Sequence, residues 1–177
     1  VFQQAHRDLR VEELPSILAS HSVTWVDVQG LGDEGLLRRM AELFDVHPLA
    51  LEDAVNVPQR PKSEMYEKHY LYITRMTMLR SATSELDTEQ VSIFIGTNYV
   101  LTLQERCGDV FDPVRNRIHA GVGAIRTSGP DYLAYALIDT VIDGYYPVLE
   151  RLAERPEGLE ERALPRPNRQ TLAGITH

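Results

Sequence analysis

Glu89-Gln90-Val91-Ser92-Ile93-Phe94-Ile95-Gly96-Thr97-Asn98-Tyr99-Val100-Leu101-Thr102-Leu103-Gln104 is the stretch on which the fold turns. Residues 89–95 and 99–104 read as two strands, and the Gly96-Thr97-Asn98 connection, with its Gly and Asn, is a hairpin signal. Upstream, the run from Tyr70 to Leu79 is rich in aromatic and β-branched residues and alternates, which predicts a third strand. Val23-Thr24-Trp25-Val26-Asp27-Val28 alternates well enough for a fourth.

Helical patterns fill the spaces between these strands. Over 33–44, Leu36, Leu37, Met40, Leu43 and Phe44 share one face, with Asp33 as the N-cap. Pro48 opens a short helix over 48–55, since proline suits the first helical position, and His47 is placed to cap it. Pro58 and Pro61 force an extended exit, because the residue before a proline avoids the α region. Asp112-Pro113 opens a helix near 110–119, and Gly121, Gly123, Ser128 and Gly129 mark a loop around a short strand expected over 124–127. From Pro130 a long helix is predicted, near 131–154, with Leu133, Leu137, Val141, Val148, Leu149 and Leu152 as its apolar stripe and a charge-dense far end.

The expected fold is therefore α/β, a mixed sheet sandwiched between helices and followed by a long projecting helix. Residues 1–129 form the α/β domain, 130–164 the helix that packs on it and projects, and 165–177 the start of a further helix that stops within about two turns. With no initiating Met, the chain reads as a piece of a longer protein.

Composition narrows the function. The 177 residues are 43% hydrophobic, which fits one domain or one domain with an appendage. A balance of 18 basic against 26 acidic residues gives −8, which argues against nucleic acid and is compatible with cations. The lone Cys107 allows no internal disulfide and fits a reducing compartment. The first twenty residues lack the apolar run of a signal peptide, and no run nears ~18 apolar residues, so the chain as given is expected to be soluble.

Two acidic pairs stand out: Glu52 and Asp53 on the short helix, and Asp139 and Asp143 four residues apart on the long one. Neighbouring carboxylates repel unless something positive shares them, at roughly 0.2–0.5 kcal/mol for an exposed i,i+4 pair. Asp139 has Tyr135, Ile142 and Tyr146 on its side of the helix, so it is expected to be part-buried and to need a partner. A hard divalent ion such as Mg²⁺, which takes oxygen ligands and keeps several waters, is one candidate. The plainer account is solvated acids, or an Asp139 bonded to an arginine. Adjacent helical residues face different ways, so the pairs matter jointly only if the fold, or a neighbouring subunit, brings them together.

Other motifs carry less. Gln59-Arg60-Pro61-Lys62 reads as a phosphate contact or, more simply, as a turn in which Arg60 is a structural anion partner. Gly121-Val122-Gly123 lacks the ending of a P-loop, the six histidines show no metal spacing, and no nucleophile elbow is present. An enzyme reading finds little to hold.

Five ordered blocks resemble the cytoplasmic domain of CorA-type magnesium transporters. They are His47 to Lys62, Glu89 to Ile93, Leu101 to Glu105, Gly108 to Arg115 and Asp131 to Asp139, within a similarity from about Trp25 to Leu164. The resemblance implies a mixed α/β sheet feeding long helices, the last of which enters the membrane as a stalk. It also implies a homopentameric, non-enzymatic channel at the cytoplasmic face of the inner membrane, with Mg²⁺ held between cytoplasmic domains to keep the pore shut. By position, Glu52, Asp53 and Asp139 match the family's interface metal residues, and Asp143 is a weaker candidate on the same helix. The stalk, the membrane helices and the Gly-Met-Asn filter would lie beyond His177. The isolated piece is then expected to be monomeric or weakly associated.

One departure is Arg155-Pro156-Glu157-Gly158, where the family usually runs an unbroken helix; an interior proline costs roughly 3 kcal/mol and kinks it. The rivals are a zinc or cobalt transporter domain, which would make Zn²⁺ or Co²⁺ the ion, and, from a different class, a soluble enzyme or small-molecule-binding α/β domain.

Overall fold

The computed structural model describes residues 10–79, 86–106, 108 and 110–153. Five strands make one sheet: β1 (Thr24–Gln29), β2 (Lys62–Met65), β3 (Tyr70–Leu79), β4 (Leu86–Ile95) and β5 (Tyr99–Gln104). Their spatial order is β1-β5-β4-β3-β2. The run from β2 to β5 is antiparallel throughout, and β1 joins it parallel to β5 with Thr24 opposite Tyr99, so the sheet is mixed as expected.

The hairpin closes where its sequence says it does. Gly96 N–H donates to Tyr99 O at 3.0 Å, and the Tyr99 ring lies over Gly96 so closely that a Cβ there would stand 2.2 Å from it. That ring then spans the core, packing on Phe44 at 4.7 Å between centroids while its hydroxyl donates to Phe44 O at 2.9 Å.

Strand alternation sends side chains to two cores. One face carries Leu71, Ile73, Phe94, Leu101 and Leu103 against α1 (Leu14–Ser20), α2 (Glu34–Leu43) and α3 (Pro48–Val55). The other carries Met76, Val91, Ile93 and Val100 against α4 (Asp112–Ala120) and α5 (Pro130–Asp143). In α2, Asp33 caps as expected, accepting from Leu36 N at 2.9 Å, and Leu37, Met40 and Ala41 are buried. In α3, His47 Nδ1 accepts from Leu49 N at 3.2 Å, Pro48 sits in the first turn, and the small Ala50 and Ala54 bring the helix onto the sheet.

Residues 124–127 form no strand. Thr127 and Ser128 both donate backbone N–H to Ala124 O at 2.9 Å, and Arg126 turns back to donate to Ile118 O and His119 O, both at 2.6 Å. The segment is a turn that caps α4, whose chain reverses at Gly121 with φ 65°. The helix expected over 131–154 is interrupted as well. It ends at Asp143, and helix resumes over 146–153. Pro147 has no N–H to give the Asp143 carbonyl, and Gly144 packs where a Cβ would meet Thr77 O at 3.3 Å. Three elements among the described residues carried no sequence expectation: a 3₁₀ turn over Val11–Glu13, α1 and the edge strand β2. The expectations for 154–164, including Pro156 and Gly158, and for 165–177 lie outside the described residues.

Candidate metal centre

All four candidate acids occupy the C-terminal turns of their helices. Glu52 and Asp53 lie in the last turn of α3, Asp143 ends α5 and Asp139 stands one turn before it. Neither helix has a basic residue in its last turn. The helix macrodipole places partial negative charge in each last turn, so Glu52, Asp53 and Asp143 sit unfavourably there unless a cation offsets it, and Asp139, a turn earlier, feels it less.

The acids differ in what surrounds them. Glu52 and Asp143 are exposed, whereas Asp139 is half-buried, and none of these three carboxylates makes a hydrogen bond or ion pair among the described residues. Tyr135, Ile142 and Tyr146, on the Asp139 side, are at least half exposed, and so are Leu149 and Leu152 beyond them. Asp53 is the exception. The Lys62 ammonium donates to Asp53 Oδ2 at 2.6 Å and to Glu64 Oε1 at 3.0 Å, and the Tyr66 hydroxyl donates to the other Glu64 oxygen at 2.8 Å. These hydrogen bonds, Asp53 first, hold Lys62 above the ordinary lysine range, while Tyr66 and Lys62 together hold Glu64 below the usual carboxylate range.

The anion partner in this turn is therefore Lys62, and Arg60 is exposed to solvent. Sequence reasoning passed over Lys62 because β2 was not expected. Period-2 alternation over 62–65 would have put Lys62 and Glu64 on one side, and that was the available signal.

Beyond Glu64 the same edge continues as a stack of rings. Tyr66 stacks on His69 at 5.2 Å and meets His47, the cap of α3, at 4.9 Å; His69 in turn rests on Phe94 at 5.7 Å. His69 is buried with neither ring nitrogen hydrogen-bonded, and burial, followed by the neighbouring His47, holds its pKa below the ordinary histidine range. Both ends of α3 are thus tied to β2 and the turn after it, through Tyr66 at the start and Lys62 at the finish. Gln90, fully buried in β4, donates to Asp53 O at 3.3 Å and Ala54 O at 3.2 Å, satisfying carbonyls that the helix end leaves open.

A second polar cluster is structural. Asp27 on β1 accepts from Thr102 at 2.5 Å, Gln104 at 2.9 Å and Arg115 at 2.6 Å, and the Arg115 guanidinium lies over the Trp25 ring at 5.4 Å. It pins α4 to the β1–β5 edge and has its charge balanced internally.

The acidic pairs are not brought together. α3 covers one face of the sheet and α5 the other, and among the described residues no three of His, Cys, Asp and Glu stand close enough to hold a metal. The donor set nonetheless suits a hard cation: every candidate ligand is a carboxylate, and Mg²⁺ commonly takes only one or two carboxylates with its remaining positions filled by water. The residues fit half-sites. Among the described residues, no helix is long and apolar enough to cross a membrane.

Residues 20–177 match the family described as CorA-like Mg²⁺ transporter protein. The cobalt/magnesium transport protein CorA of Thermotoga maritima is 40% identical over 169 residues, covering 94% of this chain and 48% of that protein. The putative metal ion transporter YfjQ of Bacillus subtilis is 33% identical over 139 residues, covering 77% and 41%. The soluble domain of CorA from Methanocaldococcus jannaschii superposes with a TM-score of 0.65 at 19% identity, over 86% of this chain and 60% of that one. The chain spans about half the length of the curated relatives it matches. It belongs to the CorA-like Mg²⁺ transporter family, and its mixed sheet between two helix layers is the fold of the CorA soluble domain.

Proposed function

We propose that this chain is the cytoplasmic, cation-sensing part of a CorA-type divalent-cation channel, with Mg²⁺ the principal ion and Co²⁺ a second, as in the name of the Thermotoga relative. It works by binding equilibrium and carries no catalytic centre. The observation that carries this reading is electrostatic: Glu52, Asp53 and Asp143 sit in last turns that carry no basic residue, Asp139 lies one turn before, and the two helices cover opposite faces of one sheet. No single chain can close such a site, whereas neighbouring subunits of a ring, five in the family pattern, can set one chain's α3 against the next chain's carboxylates.

In the channel, Glu52, Asp53 and Asp139 are the ligands, with Asp143 assisting. Carboxylates of adjacent subunits repel each other, and a shared hydrated cation offsets that repulsion and favours the closed assembly. The ion shifts gating only through its different affinity for the two states. Half-sites bind weakly, so the isolated chain is monomeric or weakly associated, and sedimentation at micromolar protein checks this.

The deciding experiment is current through the full-length channel against cytosolic Mg²⁺. Asp53→Asn keeps the shape and removes one charge, so more Mg²⁺ is needed to suppress current. An unchanged inhibition curve in a normally assembled variant removes Asp53 from the sensor.

A further inference from the structure

We infer that Lys62 is a tethered cation that occupies the Asp53 half-site, so that a divalent ion reaches Asp53 only by displacing the lysine ammonium. This deepens, and rests on, the cation-sensing reading above. The ammonium lies 2.6 Å from Asp53 Oδ2 and 3.0 Å from Glu64 Oε1, bridging two carboxylates as a bound ion would. Lys62 and Asp53 side chains are only 28% and 27% exposed, so the pair is shielded enough to matter, yet open enough for solvent and ions to reach it. It also supplies the positive charge that the last turn of α3 lacks.

Several consequences follow from the geometry. Affinity for a divalent ion at Asp53 is lowered by the cost of releasing Lys62, which keeps the site empty at low ion concentration. The released lysine stays within reach of Glu64, whose second oxygen is fixed by Tyr66, so the displaced state keeps an anion partner. Because Lys62 opens β2 and pairs in register with Ile73, ion binding at α3 is felt at the edge of the sheet. Among the described residues no equivalent lysine serves Asp139, so the two half-sites differ in kind: one holds its own cation and the other waits for one.

The test is a Mn²⁺ titration of the ¹⁵N-labelled chain, read by paramagnetic broadening of the amides of residues 50–56, with Mg²⁺ added in competition. Wild type, Lys62→Met, Asp53→Asn and, as a control, Lys68→Met are compared; Lys68 is exposed and pairs with Asp45 instead. Removing the competing charge-assisted hydrogen bond is expected to lower the dissociation constant at this site about tenfold in Lys62→Met, with no change in Lys68→Met. In wild type, Mg²⁺ is expected to shift the Lys62 side-chain nitrogen signal as the ammonium is released. Equal or weaker binding in Lys62→Met overturns the inference, as does a Lys62 signal that ignores bound Mg²⁺, or the absence of binding in both wild type and Lys62→Met. Broadening that persists in Asp53→Asn removes Asp53 as a ligand, which is failure of the underlying reading. Lost binding in Asp53→Asn with unchanged Lys62→Met leaves that reading standing and rejects the tethered cation alone.

Discussion

His69 and Glu89 show what burial does to single titratable groups in this fold, and pH reads the two with opposite signs. His69 is 3% exposed between Tyr66 and Phe94, and its lowered pKa means the folded state favours the neutral ring. Below the unfolded histidine value the unfolded chain binds the proton more readily, so stability falls as pH drops through that value toward the folded one. His69→Phe keeps a ring in the stack and cannot bind the proton. A urea midpoint that declines between about pH 7 and pH 5 in wild type is expected to decline less in this variant.

Glu89 is 5% exposed, with Oε1 unpartnered and Oε2 3.7 Å from Arg106 Nε. Desolvation raises its pKa, and the Arg106 charge only partly counters this. Here the folded state holds the proton more tightly, so stability is lost as pH rises from the unfolded carboxylate value through the folded one. Glu89→Gln is expected to raise Tm at pH 7 by about 2–4 °C, the shift that about 1 kcal/mol gives in a chain of this size. The gain vanishes below the unfolded pKa, and calorimetry at the two pH values checks it.

At the scale of elements, legibility followed periodicity. α2, α3, β3 and the β4–β5 hairpin carry either a capped apolar face or alternation, and each stands where its pattern put it. β2 has four residues, two of them ionic partners on one side, and Met65 is 73% exposed, so no apolar period marks it. The expected strand over 124–127 failed because the loop's task is to cap α4 through Arg126, a long-range use of a side chain that local propensity does not encode. The break at Gly144 was written in Pro147, yet the apolar stripe continues across it, and a stripe alone does not reveal an interruption. The hairpin gives a sharp test. Gly96→Ala forces a methyl into the Tyr99 ring and is expected to destabilise by about 1–3 kcal/mol, the range for overpacking, seen as a lower urea midpoint with unchanged slope.

At the scale of the whole molecule, the sheet separates the two acidic pairs, and that separation predicts how their substitutions combine. In the isolated chain, the effects of Asp53→Asn and Asp139→Asn on Mg²⁺-dependent stability are expected to add within about 0.5 kcal/mol, as for sites with no shared partner. In the full-length assembly the same double-mutant cycle, read from the Mg²⁺ dependence of current, is expected to show coupling if, as proposed, the pairs share an ion across a subunit boundary. Additivity in both settings contradicts a shared interface ion.

By itself the sequence determined the class of fold, most of the element positions and the family. These depend on local terms that neighbouring residues supply: alternation, caps, proline and glycine placement, and ordered blocks of residues. It also named the acids, since carboxylates at helical spacing are visible without coordinates. Only the tertiary structure decided which acids are neutralised and which are not. Lys62 reaches Asp53 because β2 runs past the end of α3, whereas Asp139, on the helix covering the far side of the sheet, has no partner among the described residues. Charge pairing acts through space, over a few ångströms, between residues whose separation along the chain does not foretell their meeting.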